Sequence, residues 1–139
     1  MRSKPLSPEA LALTQQKQFH CEIEPNLTLR GDETSIRQML SLLLDNAMKY
    51  SSSRGDIRLA LKAVGKNKVL TLWNTADNLE IGKQNMLFER FYRPDSSRST
   101  KTGGHGIGLS VVQAIVTAHR GKINAVSEDG KSILFTVIL

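Results

Sequence analysis

Only one cysteine, Cys21, occurs in the 139 residues, which excludes an internal disulfide framework and is what a reducing cytoplasm allows. Aromatic residues make up 5% of the chain and the basic residues are scattered. The stacking platforms and continuous basic stripe of a nucleic-acid binder are therefore both missing. The net charge of +6 and pI near 9.7 are not read as a nucleic-acid signal, because positive charge equally suits a polyphosphate. No apolar run approaches the ~20 residues of a membrane span. The opening MRSKPLSPEA lacks the apolar core of a secretory signal. With 40% hydrophobic residues, no internal repeat and no low-complexity stretch, the expectation is one soluble domain with a real core.

What is present concentrates in Thr102 to His119, TGGHGIGLSVVQAIVTAH, where Gly104, Gly106 and Gly108 alternate and run into an apolar helix. Glycine lets backbone amides turn toward a ligand with no Cβ in the way. The free N–H groups and dipole of the following helix favour phosphate. The pattern fits neither common fingerprint, since a P-loop ends in Gly-Lys-Ser/Thr and the Rossmann motif follows a strand directly. Here Pro94, Asp95, Ser96, Ser97, Ser99, Thr100 and Lys101 precede the glycines and read as a loop. The helix carries a narrow polar stripe of Ser110, Gln113, Thr117 and Arg120, which predicts burial over most of its circumference.

Residues 1–18 read as a leading segment with a helix from Pro8 to Gln18 behind Ser7, ahead of one domain over 19–139. Phe19–Glu24 and Leu27–Arg30 read as short strands around a turn at Pro25 and Asn26. From Thr34 to Tyr50, the residues Ile36, Met39, Leu40, Leu43, Leu44 and Ala47 recur at helical spacing and make a core face. Leu42, Asn46 and Lys49 form a second row along its margin. An amide and an ammonium there face any adjoining pocket; in an arbitrary helix they are simply solvated. Asp56–Val64 and Val69–Asn74 alternate as strands, and Asn74 shares a face with Leu70 and Leu72. Asn85–Tyr92 is a short apolar and aromatic segment whose default role is core packing. Lys122–Ser127 and Ser132–Leu139 flank Glu128-Asp129-Gly130-Lys131 as a hairpin. This order predicts an α+β fold, a two-layer α/β sandwich with about three helices on one face of a mixed, largely antiparallel sheet.

LLLDNAMKYS, FERFYR and TGGHGIGLS, in this order and spacing, resemble the ATP-binding catalytic domain of bacterial sensor histidine kinases over roughly residues 27–139. The resemblance implies the Bergerat fold shared with gyrase B, Hsp90 and MutL, in agreement with the element order. It implies that Asn46 coordinates the Mg²⁺ bridging the ATP phosphates, that Lys49 contacts phosphate and shares the catalytic role, and that Tyr50 lines the pocket. Phe88 to Arg93 matches an aromatic box supporting an ATP lid over about residues 92–103, with Arg93 and Arg98 as its phosphate-reaching arginines. Gly104, Gly106 and Gly108 match the second glycine box, with Ile107 and Leu109 beside them at the nucleotide.

The family's first glycine box, Asp-x-Gly-x-Gly, is here Asn74-Thr75-Ala76-Asp77-Asn78. Asn74 keeps an acceptor for the adenine amino group and a donor for a ring nitrogen; Asp77 is the lesser alternative acceptor. Exchanging a charged hydrogen bond for a neutral one loses roughly 1 to 1.5 kcal/mol, about tenfold in affinity. Weak but real ATP binding is the expectation.

The reaction implied is transfer of the ATP γ-phosphate to a histidine in a separate dimerisation domain, with a response regulator downstream. None of His20, His105 or His119 stands in the family's His-Glu/Asp-Leu-Arg setting. The chain thus reads as a monomeric catalytic fragment that does not autophosphorylate alone, cut from a bacterial membrane protein whose ATP-binding part lies in the cytoplasm. Where ATP-hydrolysing relatives carry a glutamate one helical turn before the metal asparagine, this chain has Leu42, which takes no proton. That argues against a clamp or topoisomerase-type ATPase. A serine kinase of the anti-sigma-factor type and a degenerate nucleotide-binding module without catalysis remain as alternatives.

Overall fold

The computed structural model describes residues 17–29, 31–52, 54–77, 79–88 and 108–139. Strand β1 (Gln18–Ile23) precedes helix α1 (Glu33–Tyr50) and strands β2 (Asp56–Val64), β3 (Asn67–Thr75) and β4 (Gly82–Lys83). A 3-10 turn (Asn85–Phe88), helix α2 (Gly108–Ala118) and strands β5 (Lys122–Ser127) and β6 (Ser132–Ile138) follow.

Helix α1 starts at Asp32, which holds extended angles of φ −80° and ψ 114° and accepts from Ser35 N at 3.0 Å through its carboxylate. That bond satisfies one of the amides a helix start leaves bare. Met39, Leu43 and Ala47, four residues apart, are buried, with Ile36, Leu40 and Leu44 half-buried beside them. Met48 joins the core from outside the predicted face. At the far end the buried Lys17 donates from Nζ to Met48 O at 2.6 Å, closing one of the carbonyls that a helix end leaves without a partner.

The six strands lie in the order β1-β2-β3-β6-β5-β4. β1 and β2 are parallel, and α1 is the crossover that such a pair requires. The other pairings are antiparallel. Across the sheet Ile57, Asn74 and Ile133 stand side by side, as do Leu59, Leu72 and Phe135, and Leu61, Leu70 and Val137. These rows face the helices and form the core with them. Phe88 meets Phe135 edge to face with ring centroids 6.1 Å apart, fastening the 3-10 turn to that core. The core role expected of Phe88 holds; Phe91 and Tyr92 lie outside the described residues.

The α+β class and the sandwich are as predicted, with two α-helices and one 3-10 turn among the described residues where about three helices were expected. Gln18 belongs to β1 and not to a leading helix, whose remaining residues to position 16 lie outside the described chain. Leu27 to Leu29 form no strand. Leu27 and Leu29 line an apolar groove with Ile36, Leu61 and Leu139, so packing satisfies their alternation without strand pairing. The two-residue β4 is too short to leave a period in the sequence.

Helix α2 is buried on one side only. Val112, Ile115 and Val116 are buried, while Gln113, Ala114, Thr117 and Ala118 are exposed. Alanine raises the apolar count of a helix without requiring burial, which is why the sequence pattern overstated it. The helix ends in a Schellman arrangement: Arg120 takes φ 59°, Arg120 N donates to Thr117 O, and Gly121 N donates to Val116 O. The glycine stands one place after the left-handed residue because a Cβ at Gly121 would run into Ile138 O and Leu139.

Candidate functional site

The two helices run antiparallel. His119, just past α2, reaches the start of α1, where its Nε2 accepts from Asp32 N at 3.0 Å. At the other end, a Cβ on Gly108 would lie 3.7 Å from Leu42 Cδ2. Leu42 and Asn46 are one turn apart, so the first turn of α2 stands beside the row of α1 that carries Asn46. Asn46 and Tyr50 are half-buried and Lys49 is exposed. The Asn46 amide has no hydrogen-bond partner among the described residues. Leu109 packs half-buried on the core.

Asn74 lies where β3 ends beside these helix turns. It is 1% exposed and shares the helix-facing side of the strand with Leu70 and Leu72. Its Nδ2 donates to Thr75 O at 2.9 Å, which fixes the amide, and its Oδ1 has no partner. A buried acceptor left unmade costs about 1 to 3 kcal/mol, so this atom marks a place where a donor belongs. Thr75 O also accepts from Ser52 N at 3.0 Å, and Ser52 Oγ donates to Asp77 Oδ1 at 3.2 Å. The chain after α1 and the segment Asn74 to Asp77 are thus laced into one wall. Asp77 is exposed and bonded to Ser52, whereas Asn74 is buried and open, which favours Asn74 over Asp77 as the acceptor.

Among the described residues, Asn74 and Asp77 thus lie beside the chain that follows Tyr50, and Gly108 lies beside Leu42, one turn before Asn46; Lys49 and Leu109 sit on α1 and α2 next to these positions. Arg93, Arg98, Gly104, Gly106 and Ile107, together with the expected lid and Asn78, lie outside the described residues. Sequence reasoning did not single out Ser51 and Ser52. The only available signal was two hydroxyls directly after Tyr50. It also missed Lys17, whose partner is 31 positions away and leaves no local pattern.

The end of β3 thus carries one buried, open acceptor beside the end of α1. The family described as "Histidine kinase-, DNA gyrase B-, and HSP90-like ATPase" matches residues 31–139. The chain belongs to this family. Sensor histidine kinase RppB of Synechocystis is 36% identical over 109 residues, covering 78% of this chain and 24% of RppB. The phosphate regulon sensor protein PhoR of Pseudomonas aeruginosa is 34% identical over 128 residues, covering 92% of this chain and 29% of PhoR. The chain spans under a third of these curated relatives. In three dimensions it superposes on the mycobacterial sensor histidine kinase MprB with a TM-score of 0.76 at 20% identity, covering 94% of this chain and 87% of the other, a likeness of fold. As a member of this ATPase family the domain binds ATP, in the form used by sensor histidine kinases.

For the Mg²⁺ expected from the sequence resemblance, the donor set is compatible. No cluster of three acidic, histidine or cysteine side chains stands ready among the described residues. Mg²⁺ keeps most of its waters and takes few protein oxygens beside those of a phosphate. A single unengaged amide oxygen on Asn46 suits that role.

Proposed function

We propose that this domain holds Mg²⁺-ATP between α1, the end of β3 and the start of α2, and delivers the γ-phosphate to a histidine on a dimerisation domain of the same longer protein. The observation that carries the reading is the buried, unpartnered Oδ1 of Asn74, placed to accept from the amino group of adenine. Asn46 would hold the Mg²⁺, which would neutralise charge on the phosphates. Lys49 at the helix end reaches phosphate, and the positive dipole end of α2 points at the same charge. In the transfer a nitrogen of the incoming imidazole bonds to the γ-phosphorus as the bond to the β,γ-bridging oxygen breaks. ADP leaves, and the imidazole proton passes to solvent. The domain contributes position and electrostatics.

One observation favours transfer over hydrolysis. Leu42 occupies the turn before Asn46, so α1 offers no base there for water. Among the described residues no histidine is placed to receive the phosphate, since His119 spends both ring nitrogens on Ile115 O and Asp32 N and His20 lies on the edge strand; the receiver is the separate dimerisation domain. Arg93, Arg98, Gly104, Gly106 and Ile107 complete the phosphate side in this reading. The phosphohistidine then serves a response regulator, and the full-length protein sits in a bacterial membrane with this domain in the cytoplasm.

The experiment is phosphotransfer in trans: the domain, ATP labelled at the γ-position, Mg²⁺ and a separately purified histidine-bearing dimerisation domain. Acid-labile label on the added domain supports the reading. ATP binding without any transfer supports a nucleotide-binding module instead, the reading favoured by the loss of glycines at Ala76 and Asn78.

A further inference from the structure

Among the described residues two buried side-chain polar atoms lack a hydrogen-bond partner, Asn74 Oδ1 and Ser51 Oγ. Both belong to the same junction. Ser51 caps the end of α1, Asn74 stands near the end of β3, and Thr75 O joins their neighbourhoods by accepting from Asn74 Nδ2 at 2.9 Å and from Ser52 N at 3.0 Å. Everywhere else in the described core the buried side-chain polar atoms are satisfied, as buried groups in folded proteins generally are. Two exceptions in one corner point to one ligand that satisfies both.

The two atoms differ in chemistry. Asn74 Oδ1 only accepts, and the bond from Nδ2 to Thr75 O keeps the amide from turning over. Ser51 Oγ carries a hydrogen to give, and with its backbone N–H already committed to Ala47 O the hydroxyl is the group left over at that cap. An acceptor and a donor in one corner complement an edge that presents a donor beside an acceptor. The adenine edge does so, with its amino group next to a ring nitrogen. A guanine or hypoxanthine edge presents a carbonyl oxygen next to an N–H, which sets oxygen against oxygen at Asn74.

Resting on the ATP reading above, we propose that Ser51 is a second base-reading residue: its hydroxyl donates to the adenine ring nitrogen adjoining the amino group that Asn74 Oδ1 receives. This makes good part of what the asparagine loses relative to a carboxylate. Both atoms are shielded from solvent, so the base reaches them only as neighbouring chain gives way.

Calorimetry with Mg²⁺ and three nucleotides tests the assignment. ATP carries both groups, purine riboside triphosphate lacks the amino group, and 1-deaza-ATP has C–H in place of the ring nitrogen. The wild-type domain is expected to prefer ATP over each analogue by about threefold to tenfold, one neutral hydrogen bond apiece. Ser51→Ala removes no hydrogen bond seen in the structure, and melting checks that it folds. It should lose the preference over 1-deaza-ATP and keep the preference over purine riboside triphosphate. Ser51→Thr, which retains the hydroxyl, should keep both. If Ser51→Ala still prefers ATP over 1-deaza-ATP, or the wild type never does, the donor comes from the second Asn74 hydrogen or from water, and the role of Ser51 is overturned. If no nucleotide binds the wild type at all, the ATP reading itself falls.

Discussion

The two ends of the helix pair are built on opposite principles. Where α1 begins and α2 finishes, the polar groups are closed on one another. Asp32 caps α1 through Ser35, His119 Nδ1 faces Ile115 O at 2.8 Å while its Nε2 takes Asp32 N, and Arg120 with Gly121 closes the last carbonyls of α2. Even the space is used, since a Cβ on Gly31 would come within 2.7 Å of the His119 ring. Where α1 finishes and α2 begins, Asn74 Oδ1 and Ser51 Oγ are open and Asn46 is unengaged. One end holds the helices in register, and the other leaves valences free, which in the proposed function serve the nucleotide. Stability and binding are thereby assigned to different residues, and substitutions should separate them.

The largest separation is expected at Asn46. Asn46→Ala should weaken Mg²⁺-ATP binding by about 10- to 100-fold, the scale of one contact to a charged group, and leave the melting temperature almost unchanged. Calorimetry beside a thermal melt reads both. Asn74→Asp should tighten ATP about tenfold by restoring a charged acceptor. It should also lower the melting temperature of the nucleotide-free domain, because a buried carboxylate without a partner is costly. Equal affinity for the two proteins would remove Asn74 from the site. At the closed end, Gly31→Ala should force the His119 ring aside and cost about 1 kcal/mol, about 3 to 5 °C of melting temperature, with ATP affinity unchanged.

Smaller effects sharpen the same contrast. Burial pushes the Lys17 amine below its ordinary pKa. The protonated form therefore carries a penalty at neutral pH that is relieved as pH rises toward 10.5. Lys17→Met removes that penalty but leaves Met48 O without its donor, so stability at neutral pH should stay within about 1 kcal/mol of wild type and any rise above neutral pH should be lost. At Asp32 the hydrogen bonds from the Ser35 hydroxyl and backbone hold the carboxyl below 3.8. A depressed acid stabilises the fold above its unfolded pKa, and that contribution goes as pH falls through the lower folded value. Asp32→Asn keeps a capping oxygen and should flatten the acid limb of a pH-dependent melt, a small change confined to pH below about 4.

The sequence was legible where physics is local. The spacing of Met39, Leu43 and Ala47 foretold α1 and left Asn46 and Lys49 on its margin, and strand alternation put Asn74 on the helix side of β3 beside Leu70 and Leu72. Gly130 at φ 73° turns the hairpin that its dipeptide announced. What stayed hidden depends on contacts between distant residues. Lys17 acts on Met48, His119 on Asp32, and Ser51 becomes conspicuous only when the chain after α1 is laced to Thr75. Leu27 and Leu29 alternate like a strand, yet they pack over a groove because nothing in a single stretch of sequence says whether a neighbour will pair with it. Hydropathy overstated the burial of α2 because alanine at 114 and 118 is tolerated in water.

The central claim is that Mg²⁺-ATP enters at the open end and leaves the closed end untouched. An amide NMR titration to millimolar nucleotide tests it directly. Shifts are expected at Asn46, Ser51, Asn74 and Gly104 to Gly108, with Gly31, Asp32 and His119 unmoved. Stationary resonances at the first group, or movement confined to the second, would contradict it.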